Sequence, residues 1–154
     1  LVGSEMCIRD RAMMAEILDG VAEAVRTVEP CAVMINDVGP KLSFPLWRIK
    51  LLDDVEIERL ALNRFQYSMG LDIWYILNER GEIKDLQDEI IDVAETLFFA
   101  LDFIKAGGQM VMGSEMHYRV TDGVLHFFVT YKWQTVQTAK EPKMESLKVN
   151  PKKE

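Results

Sequence analysis

Cysteine and histidine are scarce in this sequence of 154 residues, which contains two of each. One of the two cysteines, Cys7, lies in the opening segment 1–11, which we do not assign to the domain. Cys31 is therefore the single cysteine of the predicted domain. A single thiol supports neither a disulfide framework nor a zinc site built on cysteine. The apolar runs are far shorter than the roughly 18 residues of a membrane span, and no secretory signal is visible. We therefore expect a protein of the cytosol.

Basic residues are also few. The sequence has 18 Lys and Arg residues and 25 Asp and Glu residues, which gives a formal net charge of -7. The phosphates of DNA demand a basic surface, so the acidic balance argues against nonspecific DNA binding. The length fits one domain with a single core.

The opening segment "LVGSEMCIRDR" (1–11) lacks the character of a domain start and resembles the conceptual translation of a sequencing-library adapter. We therefore predict that residues 1–11 are an artefactual leader and that the natural start is Met13 or Met14. Residues 12–137 are predicted to form a single domain. Residues 138–154 are polar, carry several lysines and two prolines, and are predicted to be a flexible charged tail.

Two segments have the apolar periodicity of amphipathic helices. The first covers 14–28 and is closed by Pro30. The second covers 86–105, with Asp85 as its expected cap and Gly107 and Gly108 as its stop. Its apolar stripe runs over five turns and is expected to place Phe98, Phe99 and Phe103 in the core.

Five segments have the composition of β-strands: 31–37, 46–52, 64–77, 109–121 and 124–136. The first of these is expected at a sheet edge, and Asp122-Gly123 predicts a tight hairpin between the last two. The order of the elements predicts an α+β fold, with a mainly antiparallel sheet of about five strands and two helices packed on one face.

The last strand is apolar on both of its faces. Leu125, Phe127 and Val129 alternate with His126 and Phe128, and alternate side chains of a strand point to opposite faces. We therefore expect a central strand that is covered on one face and meets a helix or another subunit on the other.

The connection 53–63 is long and acidic, with carboxylates at Asp53, Asp54, Glu56 and Glu58. It is either an extended β-hairpin arm or a mobile loop, and long connections in compact domains tend to be functional. The four acids either bind a cation or form a solvated acidic surface, and the second interpretation is favoured.

The sequence offers no convincing catalytic site. His117 and His126 lie on the partner strands of the last hairpin and suggest a metal site or an acid/base pair, but no third ligand is evident. Two histidines that meet solvent or a hydrogen bond are the favoured interpretation. The serines lack the context of a nucleophile elbow, and "AGGQMVMG" (106–113) lacks the lysine of a phosphate-binding loop.

Several stretches resemble a family of small tail-terminator-like prophage proteins of Gram-positive bacteria. The most specific are "DGVLHFFVTY" (122–131) and "KEPKM" (140–144). The stretches "RIKLL", "NRFQYSMGLDIWYI" and "DVAETLFFALDFI" also match, and the elements occur in the same order as in the family. The resemblance covers nearly all of residues 14–147. The acidic "LLDDVEIERLAL" departs from it, because a neutral or more basic connection is expected there.

The resemblance implies a structural protein without cofactor or catalysis. A tail terminator caps the head-proximal end of a long phage tail as a ring, typically of six subunits, and helps to join tail to head. The implied partners are other copies of the chain, the tail tube protein and the head–tail connector, in a virion tail assembled in the bacterial cytoplasm. The candidate interface residues are Asp53, Asp54, Glu56, Glu58, His126, Phe128, Lys143 and Met144.

Two alternatives to a terminator stay open at this point. One is a head–tail joining or tail-tube protein of the same virion, and the other is a small metal-dependent module built on His117 and His126.

Overall fold

The structure is a computed structural model that describes residues 2–36, 43–79 and 82–137, with side chains from Met13 onward except that of Asp53. The element order is α1 (Val2–Val28), β1 (Ala32–Ile35), β2 (Leu46–Ala61), β3 (Arg64–Ile76), α2 (Asp88–Asp102), β4 (Phe103–Ala106), β5 (Gln109–Thr121) and β6 (Val124–Val136). Neither described helix is long and apolar enough to cross a membrane. The fold is α+β, as predicted.

The strands form one sheet of six in the order β1-β2-β3-β6-β5-β4. All neighbours are antiparallel except β1 and β2, which run parallel. The short strand β1 lies at a sheet edge, as its composition predicts, and β6 is central. The tight hairpin at Asp122-Gly123 is also present, with Thr121 opposite Val124 and a positive φ at both turn residues.

The core lies on one face of the central strands. Leu125, Phe127, Val129 and Tyr131 of β6 are buried, and the β3 residues opposite them are buried as well. His126 and Phe128 point to the other face and are half-buried. The apolar alternation in the sequence therefore identifies the buried face correctly.

One side-chain hydrogen bond ties each helix to this buried face. The Trp47 indole donates to the Glu29 carbonyl just after α1 at 2.9 Å, and the Tyr131 hydroxyl donates to the Leu101 carbonyl in α2 at 2.8 Å. Both side chains lie on the buried face, because Trp47 is opposite Tyr75 and Tyr131 is opposite Met69. The helices contribute buried apolar residues to the same core, namely Ile17, Val21, Ala22, Val25, Ile90, Ala94, Leu97 and Leu101.

The predicted second helix is wrong at both ends. Gln87, rather than Asp85, is the N-cap of α2, and it makes no side-chain capping hydrogen bond. At the other end, 103–106 form β4, which pairs with 109–112. Gly107 and Gly108 adopt φ values of 58° and 76°, which suit a two-residue hairpin turn. The glycines therefore close a hairpin, and the sheet gains a sixth strand that was not predicted.

The first helix is longer than predicted, because α1 begins at Val2 rather than at Met14. The helical segment thus includes most of the residues that were set aside as a leader. Their artefactual origin stays a prediction.

The buried Tyr131 phenol is expected to make the stability of the fold decrease at alkaline pH. Burial, and secondarily the negative charge of Asp102, raises the pKa of the Tyr131 phenol above its ordinary value of 10.0. The unfolded chain ionises this phenol at a lower pH than the folded chain does, so its stabilising effect is complete below pH 10 and is lost as the pH rises through the folded-state pKa.

The Tyr131→Phe variant is expected to lose about 1 kcal/mol at pH 8, because the Leu101 carbonyl loses its hydrogen-bond donor. Its free energy of unfolding should then fall less steeply than that of the wild type between pH 10 and 11. Urea unfolding at several pH values measures both effects. Parallel pH curves for the two proteins would show that Tyr131 does not control the alkaline response.

Candidate subunit interface

The connection 53–63 is not a loop, because most of it belongs to β2, the longest strand of the sheet. Residues 55–61 of β2 pair with 64–69 of β3, and Leu62 and Asn63 make the turn. We call this hairpin extension, 55–69, the arm. β1 pairs only with 46–49, so within the described chain no strand covers the outer edge of 55–61. Of the two alternatives left open by the sequence, the hairpin arm is correct.

The predicted acidic residues lie in or beside this arm. Asp54 falls in a register shift between Leu51 and Val55, and its side chain is exposed. Glu56 is opposite Ser68 and Glu58 is opposite Gln66, and both acids are exposed. Asp53 also belongs to β2, but its side chain lies outside the described part.

Strand register brings the acids of the arm to the same sheet face as His126 and Phe128. Ser68, the partner of Glu56, is opposite Lys132 of β6, and Lys132 has the same parity along β6 as His126 and Phe128. The pairing of β3 with β6 is continuous over this range. These predicted site residues therefore share the sheet face that points away from the core.

His126 is held in place by a carboxylate that the sequence analysis did not single out. Nδ1 of His126 lies 3.1 Å from both carboxylate oxygens of Asp72, and each of the two side chains is 13% exposed. A carboxylate only accepts hydrogen bonds, so Nδ1 carries the shared proton. The Trp74 ring packs on the imidazole with 4.8 Å between centroids.

Three cations lie over the aromatic rings of this face. The Arg48 guanidinium and the Lys50 ammonium are 4.7 and 5.6 Å from the centre of the Trp74 ring. The Arg119 guanidinium is 4.7 Å from the centre of the Phe128 ring. We call Arg48, Lys50 and Arg119 the basic strip. It gives a local positive charge to a chain that is acidic as a whole, and the ring faces attract these cations.

His117 and His126 do not form a common site. The His117 ring stacks on Phe128 at 4.5 Å between centroids, whereas His126 binds Asp72. Among the residues that the structure describes, no group of three or more His, Cys, Asp or Glu side chains could hold a metal ion.

The arm also carries exposed apolar side chains. Ile57 is 59% exposed, Leu62 at the turn is 86% exposed, and Leu60 is exposed as well. We call these three residues the arm surface. Exposed leucine and isoleucine side chains near the tip of one hairpin are typical of a protein contact.

A second apolar surface lies on α2 and the β4–β5 hairpin. Phe99 is 72% exposed, and Phe98, Phe103 and Met112 are exposed too. The Phe98 and Phe99 rings contact each other at 5.2 Å between centroids, and Phe103 is opposite Met112 in the sheet. We call these four residues the helix patch. The prediction that Phe98, Phe99 and Phe103 belong to the core is wrong, because Ala94, Leu97 and Leu101 occupy the buried side of α2.

The remaining two predicted residues, Lys143 and Met144, lie outside the described residues. Of the residues that the sequence analysis missed, Arg119 had a usable signal. The Asp122-Gly123 turn pairs Thr121 with Val124, and counting back along the hairpin puts Arg119 opposite His126. Asp72 had no such signal, because the pairing of β3 with β6 spans a long stretch of chain.

Comparison with known proteins agrees with a structural role. A search of curated proteins gives no match. A family model described as phage tail terminator protein matches residues 16–143, which is most of the chain and includes every element from β1 to β6. Such a family consists of structural proteins of the virion tail. The chain therefore belongs to the phage tail terminator family.

Proposed function

We propose that this protein caps the head-proximal end of a phage tail tube as a closed ring, typically of six subunits, and helps to join the tail to the head. The observation that carries the proposal is the presence of two different exposed apolar surfaces, the arm surface and the helix patch. A ring of identical subunits needs two such surfaces, because each subunit offers a different one to each of its neighbours.

The position of the two surfaces suits a ring. The arm belongs to the β2–β3 side of the sheet, and the helix patch includes β4, the strand at the other end of the strand order. A contact from the arm of one subunit to the helix patch of the next repeats in the same direction around the assembly. Such a head-to-tail contact closes when the rotation between subunits divides a full turn.

The two sheet faces then have different roles. We infer that both helices cover the buried face, since a backbone carbonyl in α2, and another just after α1, accepts a hydrogen bond from a side chain on that face. The other face carries the acidic residues Glu56 and Glu58 as well as the basic strip, and it is the candidate contact with neighbours, the tube protein or the connector.

The mass of the full chain in solution tests the proposal. Light scattering over a wide concentration range, with and without added tail tube protein, is expected to show a closed species of about six subunits. A ring that needs the tube should appear only when tube protein is added. A subunit that stays monomeric under both conditions would contradict the proposed ring.

A further inference from the structure

The sheet face that points away from the core carries opposite charges at its two ends. Arg48 and Lys50 lie at one end of β2. Glu56 and Glu58 lie on the same face, in the arm at the other end. Among the described residues, Lys50, Glu56 and Glu58 make no ion pair. The face therefore suits a partner surface with the reverse order of charges.

The strand register places these charges symmetrically along the sheet. Lys50 is opposite position 72 of β3, and Glu56 is opposite position 68. Arg48 is opposite position 74, and Glu58 is opposite position 66. Both pairs of opposite charges are therefore centred on Gly70. A two-fold axis that crosses the strands at Gly70 superimposes each basic position on an acidic one.

We propose that this face pairs with the same face of a second copy of the chain about that two-fold axis. Strand β2 of one copy then packs antiparallel over β2 of the other. Lys50 of each copy faces Glu56 of the other copy, and Arg48 faces Glu58 in the same way. Each contact occurs twice, as in every two-fold interface. Packed sheets lie about 10 Å apart, a gap that a lysine and a glutamate side chain span together.

An exposed leucine lies at the centre of the proposed contact. A Cβ atom on Gly70 would lie 3.0 Å from Cδ1 of Leu52, so the Leu52 side chain covers Gly70. Gly70 is opposite Thr130, which has the same parity along β6 as Phe128, so Leu52 lies on the outer face. Leu52 is 40% exposed. The two copies of Leu52 meet at the axis, and an apolar centre with a charged rim is typical of protein contacts.

The remaining side chains of the face are compatible with this pairing. In the rows on either side of the axis, no two like charges of the described residues face each other. Lys132 of one copy faces Phe128 of the other, because they are opposite positions 68 and 72 of β3. A cation over an aromatic ring is a favourable contact. Pairing covers the face and therefore excludes any other partner from it.

Light scattering of the full chain over a wide concentration range tests the pairing. The wild type is expected to double in mass as its concentration rises. Glu56→Lys sets like charges opposite each other at two points, so doubling should need a concentration at least about tenfold higher. Lys50→Glu should have the same effect. In an equal mixture of the two variants, both contacts join opposite charges again, and doubling should return to near the wild-type concentration.

Glu23→Lys is the matched control for Glu56→Lys, because it makes the same change in net charge. Glu23 is an exposed residue of α1, and this helix packs on the buried face. The control should double in mass as the wild type does. Lys50 is opposite Asp72, so Lys50→Glu also sets two acids side by side within one subunit. Thermal unfolding checks that each variant is folded, and the mixture separates a lost contact from a lost fold.

A wild-type mass that never doubles would overturn the proposal and leave the face to another partner, such as an acidic tail component. Equal weakening by Glu56→Lys and Glu23→Lys would indicate a general effect of charge. A mixture that pairs no better than the single variants would show that Lys50 and Glu56 do not meet. The mass doubles whether single subunits or whole rings pair, so none of these results depends on the proposed ring.

Discussion

A chain with both Ile57 and Leu62 replaced by aspartate is expected to fold normally and to fail to form the proposed ring. These side chains are 59% and 86% exposed in the subunit, so aspartate is solvated there and the free energy of unfolding should change little. In a packed contact, each carboxylate would be buried without a partner, which is strongly unfavourable. Light scattering measures the mass, and thermal unfolding checks the fold.

The matched control replaces two other exposed leucines by aspartate. Leu77 follows β3 and Leu86 precedes α2, and neither belongs to the arm surface or the helix patch. Both double variants have a net charge of -9, since each adds two acids to a chain of -7. The control should keep the mass of the wild type. Loss of the ring in both variants would indicate a general effect of charge, and its persistence in the Ile57/Leu62 variant would remove the arm from the contact.

The sequence predicts the faces of this sheet better than the lengths of its strands. The alternation from Leu125 to Phe128 assigns the buried face correctly, because side-chain direction in a strand depends only on position. The sequence alone does not distinguish an arm from a loop here, because Asp53 and Asp54 interrupt the apolar pattern. In the structure, β2 advances four residues from Leu51 to Val55 while β3 advances two, so the irregularity is accommodated and pairing resumes.

At the end of α2, the residues after Asp102 could continue the helix or form a strand, and apolar periodicity does not distinguish the two. Ile104 continues the apolar stripe of the helix, yet it is buried as part of β4. Helix and strand place this residue in the core equally well, so its burial does not distinguish them. The decisive feature is the pair Gly107 and Gly108, whose positive φ values permit a hairpin with β5. The two glycines that the sequence suggests as a helix stop therefore form the turn between β4 and β5.

The candidate interface follows from the sequence only in part. His126 and Phe128 were identified because they are polar or aromatic residues on the second face of a central strand. Their partners Asp72 and Trp74 belong to β3, and only the long-range register of β3 with β6 brings them together. Exposure of Phe99 was missed because the helical stripe is wide, and composition does not say which of its edges meets the sheet.

Phe127→Ala is expected to be among the most destabilising single substitutions in the chain, with a loss of about 3–5 kcal/mol. The Phe127 side chain is 1% exposed and lies between Ile73 of β3 and Tyr118 of β5 in the centre of the sheet. Its ring stacks on Tyr118. Truncation leaves a cavity that these strands cannot close. The midpoint of thermal unfolding should fall by on the order of 10 °C for a domain of this size.

Phe99→Ala makes the same chemical change on the helix patch and is expected to behave in the opposite way. Phe99 is 72% exposed, so the free energy of unfolding should change by less than about 0.5 kcal/mol. The ring should nevertheless weaken, because an exposed aromatic side chain at the centre of a contact contributes strongly to binding. Equal destabilisation by the two substitutions in denaturant unfolding would place Phe99 in the core. An unchanged ring in Phe99→Ala, with stability also unchanged, would remove the helix patch from the contact and leave the arm to meet a different surface.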